Sequence, residues 1–215
     1  MRVGTGVKSV VTVAAMLTAV TACSVSGDPV RTPDLSARIV PSDAFPYGPG
    51  LPVQDPGIVS DITFRPVRQN NRPDDCTPVA VDAATAQVRV GPGGPAGGSL
   101  TVLVVRAADS FDDFVAQATR CEKFALGGTV GTTVVTAVGD DAPDGALRLE
   151  RQIIMGPQTA ESTPPTSSIT EYVAQRGDIR VYVQNRRRGT EALSDAELAA
   201  TRTLFVTARK AAFRA

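Results

Sequence analysis

The chain has 215 residues, with 22 Lys and Arg balanced by 22 Asp and Glu, three cysteines, and neither histidine nor tryptophan. That balance argues against a nucleic-acid partner, for which a strongly basic surface is expected. Without histidine, no Ser-His-Asp or Cys-His catalytic arrangement and no zinc site of the usual exported kind can be built.

Arg2 and Lys8 precede an apolar stretch, Val10 to Val20, that ends in small residues. This order of parts reads as an export signal over residues 1–22, too short to span a bilayer comfortably. The longest comparable later run, Leu100 to Val105, has strand length. Val20 and Ala22 also suit a general signal peptidase. The four residues "VTAC", Val20 to Cys23, resemble the lipobox of bacterial lipoproteins: an aliphatic residue, two small ones and a cysteine. The resemblance implies a diacylglyceryl group on the Cys23 thiol, with Cys23 as the first residue of the mature chain. Each buried methylene contributes ~0.8 kcal/mol, and two acyl chains anchor stably where one holds marginally. The expected location is therefore the extracytoplasmic face of the cell membrane, with the membrane itself as first partner. Removing the signal leaves 20 basic and 22 acidic residues, a net charge of −2 that argues against broad electrostatic adhesion to anionic lipid.

Residues 23–38 read as a lipidated tether, followed by a Pro-rich segment, 39–57, whose Ile39, Val40, Phe45, Tyr47 and Leu51 are suited to lie on a folded body. Residues 58–215 are long enough for one globular domain with a real core. With Cys23 set aside, Cys76 and Cys121 form an even pair in an exported chain, and a disulfide is expected between them; two buried free thiols are the alternative.

Within the domain, "GPGGPAGG", Gly91 to Gly98, lacks the ending of a phosphate loop and precedes a strand, so it reads as a mobile connection. Ser99 to Ala107 is β-branched and nearly continuous, as in a strand covered on both faces. Asp109 to Leu126 reads as a helix with Ser110 at its cap. Its apolar stripe comprises Phe111, Phe114, Val115, Ala118, Cys121 and Ala125. Three alternating segments follow. The last divides at Gly177-Asp178 into a hairpin in which Ala174 opposes Val181 and Tyr172 opposes Val183. A final helix starts at Ser194, with Glu197 completing a capping box. Connections this short exclude parallel crossovers. The expected fold is α+β: a single domain with a mainly antiparallel sheet, two main helices packed on one face, and one disulfide.

"PSDAFPYG", "DDCTPVA" and "FDDFVAQATRCEKF" resemble segments of small cell-envelope lipoproteins of mycobacteria and their relatives. Some of these are similar to the extracellular sensor domain of a mycobacterial Ser/Thr kinase, also α+β and disulfide-bonded. The resemblance implies an exported domain of unassigned activity.

No residues stand out as catalytic, cofactor-binding or metal-ligating, and no cofactor is expected. The mature lysines, Lys123 and Lys210, fall among polar neighbours on predicted helices, unlike the buried lysine that activates a serine. Asp74-Asp75, Asp112-Asp113 and Asp140-Asp141 suit caps and turns rather than the converging carboxylates of a glycosidase. Arg176-Gly177-Asp178 matches an adhesion tripeptide but has a turn-forming reason already. Arg186 to Arg188 suit a solvated strand end. The leading expectation is a binding or accessory module that takes a lipid, glycolipid or peptide in an apolar groove between the open sheet face and the Pro-rich segment. The alternative is a structural or assembly protein docking on a membrane or secretion complex, and an enzyme comes third.

Overall fold

The β-branched run Ser99–Ala107 forms the central strand β3, and its near-complete burial follows from cover on both faces. The computed structural model describes residues 34–128, 131–156 and 164–214; the signal, Cys23 and residues 24–33 of the tether lie outside them. The remaining strands are β1 (Leu51–Val53), β2 (Val81–Pro92), β4 (Lys123–Ala125), β5 (Thr132–Gly139), β6 (Ala146–Met155), β7 (Thr166–Arg176) and β8 (Ile179–Arg188). They form one antiparallel sheet in the order β1-β2-β3-β8-β7-β6-β5-β4. The helices are α1 (Pro56–Ile62), α2 (Phe111–Arg120) and α3 (Asp195–Ala212).

The fold is α+β with a single antiparallel sheet, as expected. The β7–β8 hairpin turns at Gly177, whose φ of 58° suits glycine. Its register sets Ala174 opposite Val181 and Tyr172 opposite Val183, the expected pairs.

The two main helices, expected on one face, take opposite faces. Leu100, Val102, Val104, Tyr172, Val181 and Val183 pack against Leu204, Phe205 and Ala208 of α3. Leu103, Val105, Val173 and Tyr182, which alternate with them, pack against Phe114 and Ala118 of α2 and Val59 and Ile62 of α1. The physical reason is the doubly apolar character of β3, β7 and β8, which a single helical layer would leave half exposed.

The Asp109–Leu126 helix is also shorter than expected. It ends at Arg120, and Lys123–Ala125 becomes the edge strand β4 on β5, so sheet pairing overrides the helical spacing of Ala125. Cys121 sits at the helix end, disulfide-bonded to Cys76 with Cα atoms 5.6 Å apart. The edges are protected: β1 is three residues long and contains Pro52, and β4 is shielded by a bridge from Ala125 to Arg72.

Folded structure begins before the expected tether ends. Leu35 is fully buried with Val40 and Phe45 in the α3 core, because an apolar side chain this close to the core gains more by packing than by solvation. The Phe45 ring lies so close to Gly50 and Gly91 that a Cβ there would come within 2.2 and 2.7 Å of it. The Gly-rich connection is packed at its start, where Asn185 Nδ2 donates to Gly93 O at 2.8 Å and Gly94 abuts Glu197, while residues 95–98 are exposed. Residues 34–215 form one compact unit that, among the described residues, holds every core cluster and the disulfide, which is what a domain of this length needs to fold on its own. Among the described residues no helix is long and apolar enough to cross a membrane.

Candidate functional site

The face carrying α1 and α2 differs from the α3 face in being covered by short pieces of chain, and three hollows gather around α1. Helix α1 starts where Asp55 caps the Gly57 N–H at 2.8 Å and Pro56 occupies the first turn. It stops at Thr63, whose hydroxyl donates to Val59 O at 2.8 Å. Phe64 then takes a left-handed conformation, φ 53°, which is strained for a bulky side chain. The strain buries its ring, 4.3 Å from the Arg151 guanidinium, in a cation–π contact.

The loop that follows is clamped at its base. Buried Asn71 donates through Nδ2 to Phe64 O at 3.0 Å and Cys76 O at 2.8 Å, and its Oδ1 accepts from Gly127 N–H at 3.0 Å. The Asn71 N–H donates to Thr77 Oγ1 at 2.8 Å. One amide thus joins the end of α1, the disulfide segment and the turn after β4. With the base fixed, the tip is free to project, and Val67 is 83% exposed.

Three hollows surround α1. One of about 550 Å³ lies between α1, the loop tip and the turn after β4, with Phe64, Pro66, Val67 and Leu126 as apolar lining and Ser60 and Arg68 as polar lining. A second, about 430 Å³, lies across the Val67–Gln69 ridge toward Val81 and Ala83. The third, about 390 Å³, separates Pro52–Pro56 from β2. There the β2–β3 register shifts between Asp82 and Gln87, and the looped-out residues are held by the Asp82 carboxylate accepting from Ala84 N–H at 3.1 Å and Thr85 Oγ1 at 2.7 Å.

Under the site the sheet carries buried charge. Arg151 pairs with Glu171 at 3.1 Å, and Arg180 pairs with Asp109 at 3.0 Å while lying 4.4 Å from the Phe114 ring. Burial pushes the Glu171 carboxyl above its ordinary range, opposed by Arg151. Burial likewise pushes the Tyr182 hydroxyl up to about 12, opposed by Arg180, which donates to it at 3.3 Å. A void of about 20 Å³ remains between this layer and the disulfide.

The Ser60 hydroxyl is committed to Arg65 O, and Asp61 pairs with Arg186 at 2.6 Å. Among the described residues no group of three His, Cys, Asp or Glu side chains is placed to hold a metal ion. The arrangement offers shape, apolar contact and a few polar groups, suited to holding a ligand. No family model, curated protein or solved structure matches the chain.

Of the residues singled out in the sequence, Cys76 and Cys121 form the disulfide, while Cys23 lies outside the described residues. Asp74 and Asp75 pair with Arg72 and Arg120, and Asp141 with Arg148. In the tripeptide, Arg176 donates to Phe213 O and Asp178 pairs with Arg106. Arg186 and Arg187 pair with Asp61 and Glu197, leaving Arg188 exposed. Lys123 lies exposed on β4 rather than on a helix.

The three hollows around α1 do not lie over β5 and β6, where the open sheet face is mixed in character, with Val135, Ala137, Gln152 and Glu150, but the third has the Pro-rich segment as one wall and β2 as the other. Sequence reading missed α1, Phe64, Asn71 and the Arg151–Glu171 pair. Asp55-Pro56 was an available helix-start signal. Nothing local marks a left-handed phenylalanine.

Proposed function

We propose that the chain is a lipid-anchored extracytoplasmic binding module of the mycobacterial cell-envelope lipoprotein type, and that its ligand occupies the groove between α1 and the 64–71 loop. The observation that carries this reading is Phe64: a strained residue, held by a clamped loop, shapes an open hollow of about 550 Å³ and leaves Val67 exposed. Backbone strain costs of order 1–3 kcal/mol and clusters at ligand sites. The volume and mixed lining suit a lipid, glycolipid or short peptide. Anchoring through Cys23 is supported by the Val20–Cys23 box, and the Cys76–Cys121 disulfide fits an oxidising compartment.

Native mass spectrometry of the protein purified from membranes tests both parts. The expected spectrum shows a diacylglyceryl adduct at Cys23 and a second, non-covalent envelope component that is lost from the Val67→Asp/Arg68→Glu variant. A protein without either mass, crosslinked in membranes to another protein, would instead favour an assembly role.

A further inference from the structure

Charge is distributed unevenly over the domain. Arg38, Arg176, Arg209, Lys210 and Arg214 gather at the C-terminal end of α3. Arg38 Nη1 donates to Ala212 O and Arg214 O at 2.8 Å each, Arg176 Nη1 to Phe213 O at 3.2 Å, and Arg209 Nη1 to Asp144 O at 2.6 Å. The Arg38 and Arg176 contacts complement the negative end of the helix dipole, yet each guanidinium has five N–H donors, of which contacts among the described residues use one or two. Between the cations lies a hollow of about 560 Å³ in which Val206 and Phe213 form an apolar wall beside Arg176, Arg209 and Lys210. Val206 is half exposed.

The carboxylates at this end are Asp34, Asp144 and Asp178. Asp178 is paired with Arg106, and the charges of Asp34 and Asp144 are outnumbered by the five cations, so positive charge is in excess. The folded unit also begins here, since Leu35 is buried against the α3 core and Arg38 grips the helix end. Eleven residue steps separate Asp34 from Cys23, a span of at most about 40 Å.

We infer that this end of the domain is a docking surface for an anionic phospholipid bilayer, with headgroup phosphates meeting Arg176, Arg209 and Lys210 and acyl-chain edges meeting Val206 and Phe213. Its orientation toward the membrane rests on the proposed anchor at Cys23, whereas its chemistry does not. Net charge opposes adhesion over the whole surface, and the cluster confines adhesion to one end. A basic residue at an anionic membrane strengthens binding about fivefold. The short chain to the anchor would keep that weak interaction continually engaged.

The test uses the unlipidated unit, residues 34–215, in flotation with vesicles of phosphatidylglycerol and phosphatidylcholine at low salt. Binding is expected to these vesicles and not to phosphatidylcholine alone, and to fall at 0.5 M salt. Lys210→Glu/Arg214→Glu changes two exposed side chains and is expected to lower the partition coefficient at least twentyfold while the unit keeps a cooperative thermal transition, shifted only by the weaker charge–dipole interaction at the end of α3. Lys123→Glu/Arg188→Glu makes the same charge change elsewhere and is expected to lower it less than threefold. Equal losses in both variants, equal binding to both vesicle types, or a doubled mass showing that the face pairs with a second copy would each overturn the inference. Because no acyl chain is present, these outcomes are independent of whether Cys23 is lipidated.

Discussion

The two faces of the sheet are covered by different means, and the difference separates stability from recognition. On one face the eighteen-residue α3 lies along β3, β8 and β7, seals an apolar core, and stacks Phe205 on Tyr172 with ring centroids 5.3 Å apart. On the other, a seven-residue α1, a ten-residue α2 and a disulfide-pinned loop do the covering. Short pieces do not tile a sheet, so this face keeps three hollows around α1 and a small void beneath them, whereas the hollow on the α3 side lies at the end of that helix. A long continuous helix seals the sheet along its length and leaves a hollow only at its end, whereas several short elements make a rim that can hold something over the sheet itself.

Perturbing each face in turn sharpens this contrast. The largest effect is expected from Phe205→Ala, which opens a cavity in the sealed core and costs about 3–5 kcal/mol in urea unfolding. Reducing Cys76–Cys121 frees the loop that bounds the other face; a closed loop of this length is worth about 4 kcal/mol on the chain-entropy model. The loss should fall mainly on the α1–α2 side, read as amide exchange in residues 64–77 that rises before exchange in α3 does.

The next effect is acid sensitivity at the start of α3. Ser194 and Arg187 hold the Glu197 carboxyl down to about 2, below its ordinary 4.5. A depressed folded value contributes stability that is complete above about pH 4.5 and is lost as pH falls toward 2. The contribution is on the order of 2–3 kcal/mol. Thermal denaturation between pH 6 and pH 3 should show this slope, and Glu197→Gln should flatten it. The smallest effect is at the groove rim: Val67→Asp should change stability by no more than about 0.5 kcal/mol, because its side chain is exposed. It would nevertheless reduce retention of the non-covalent ligand.

These contrasts follow how the fold is written into the sequence. The α3 face was legible because it depends on local signals: the Ser194–Glu197 capping box, the Gly177-Asp178 turn, and alternation that fixed the Tyr172–Val183 register. The α1–α2 face was legible only in part, through the disulfide and the Ser110 cap. Its remaining features are non-local. Asn71 matters because it meets Phe64, Cys76 and Gly127, and Arg151 because it meets Glu171 and Phe64 across strands. Residue order does not announce such meetings. Lys123–Ala125 shows the same limit, since pairing with β5 decides its conformation against a helical pattern.

The assignment of recognition to the α1–α2 face is tested most directly by hydrogen–deuterium exchange on the protein isolated from membranes, before and after organic extraction of bound material. The expected result is faster exchange after extraction in residues 57–71 and 126–128, with α3 unchanged. Unchanged exchange around α1, or a change confined to α3, would contradict the account.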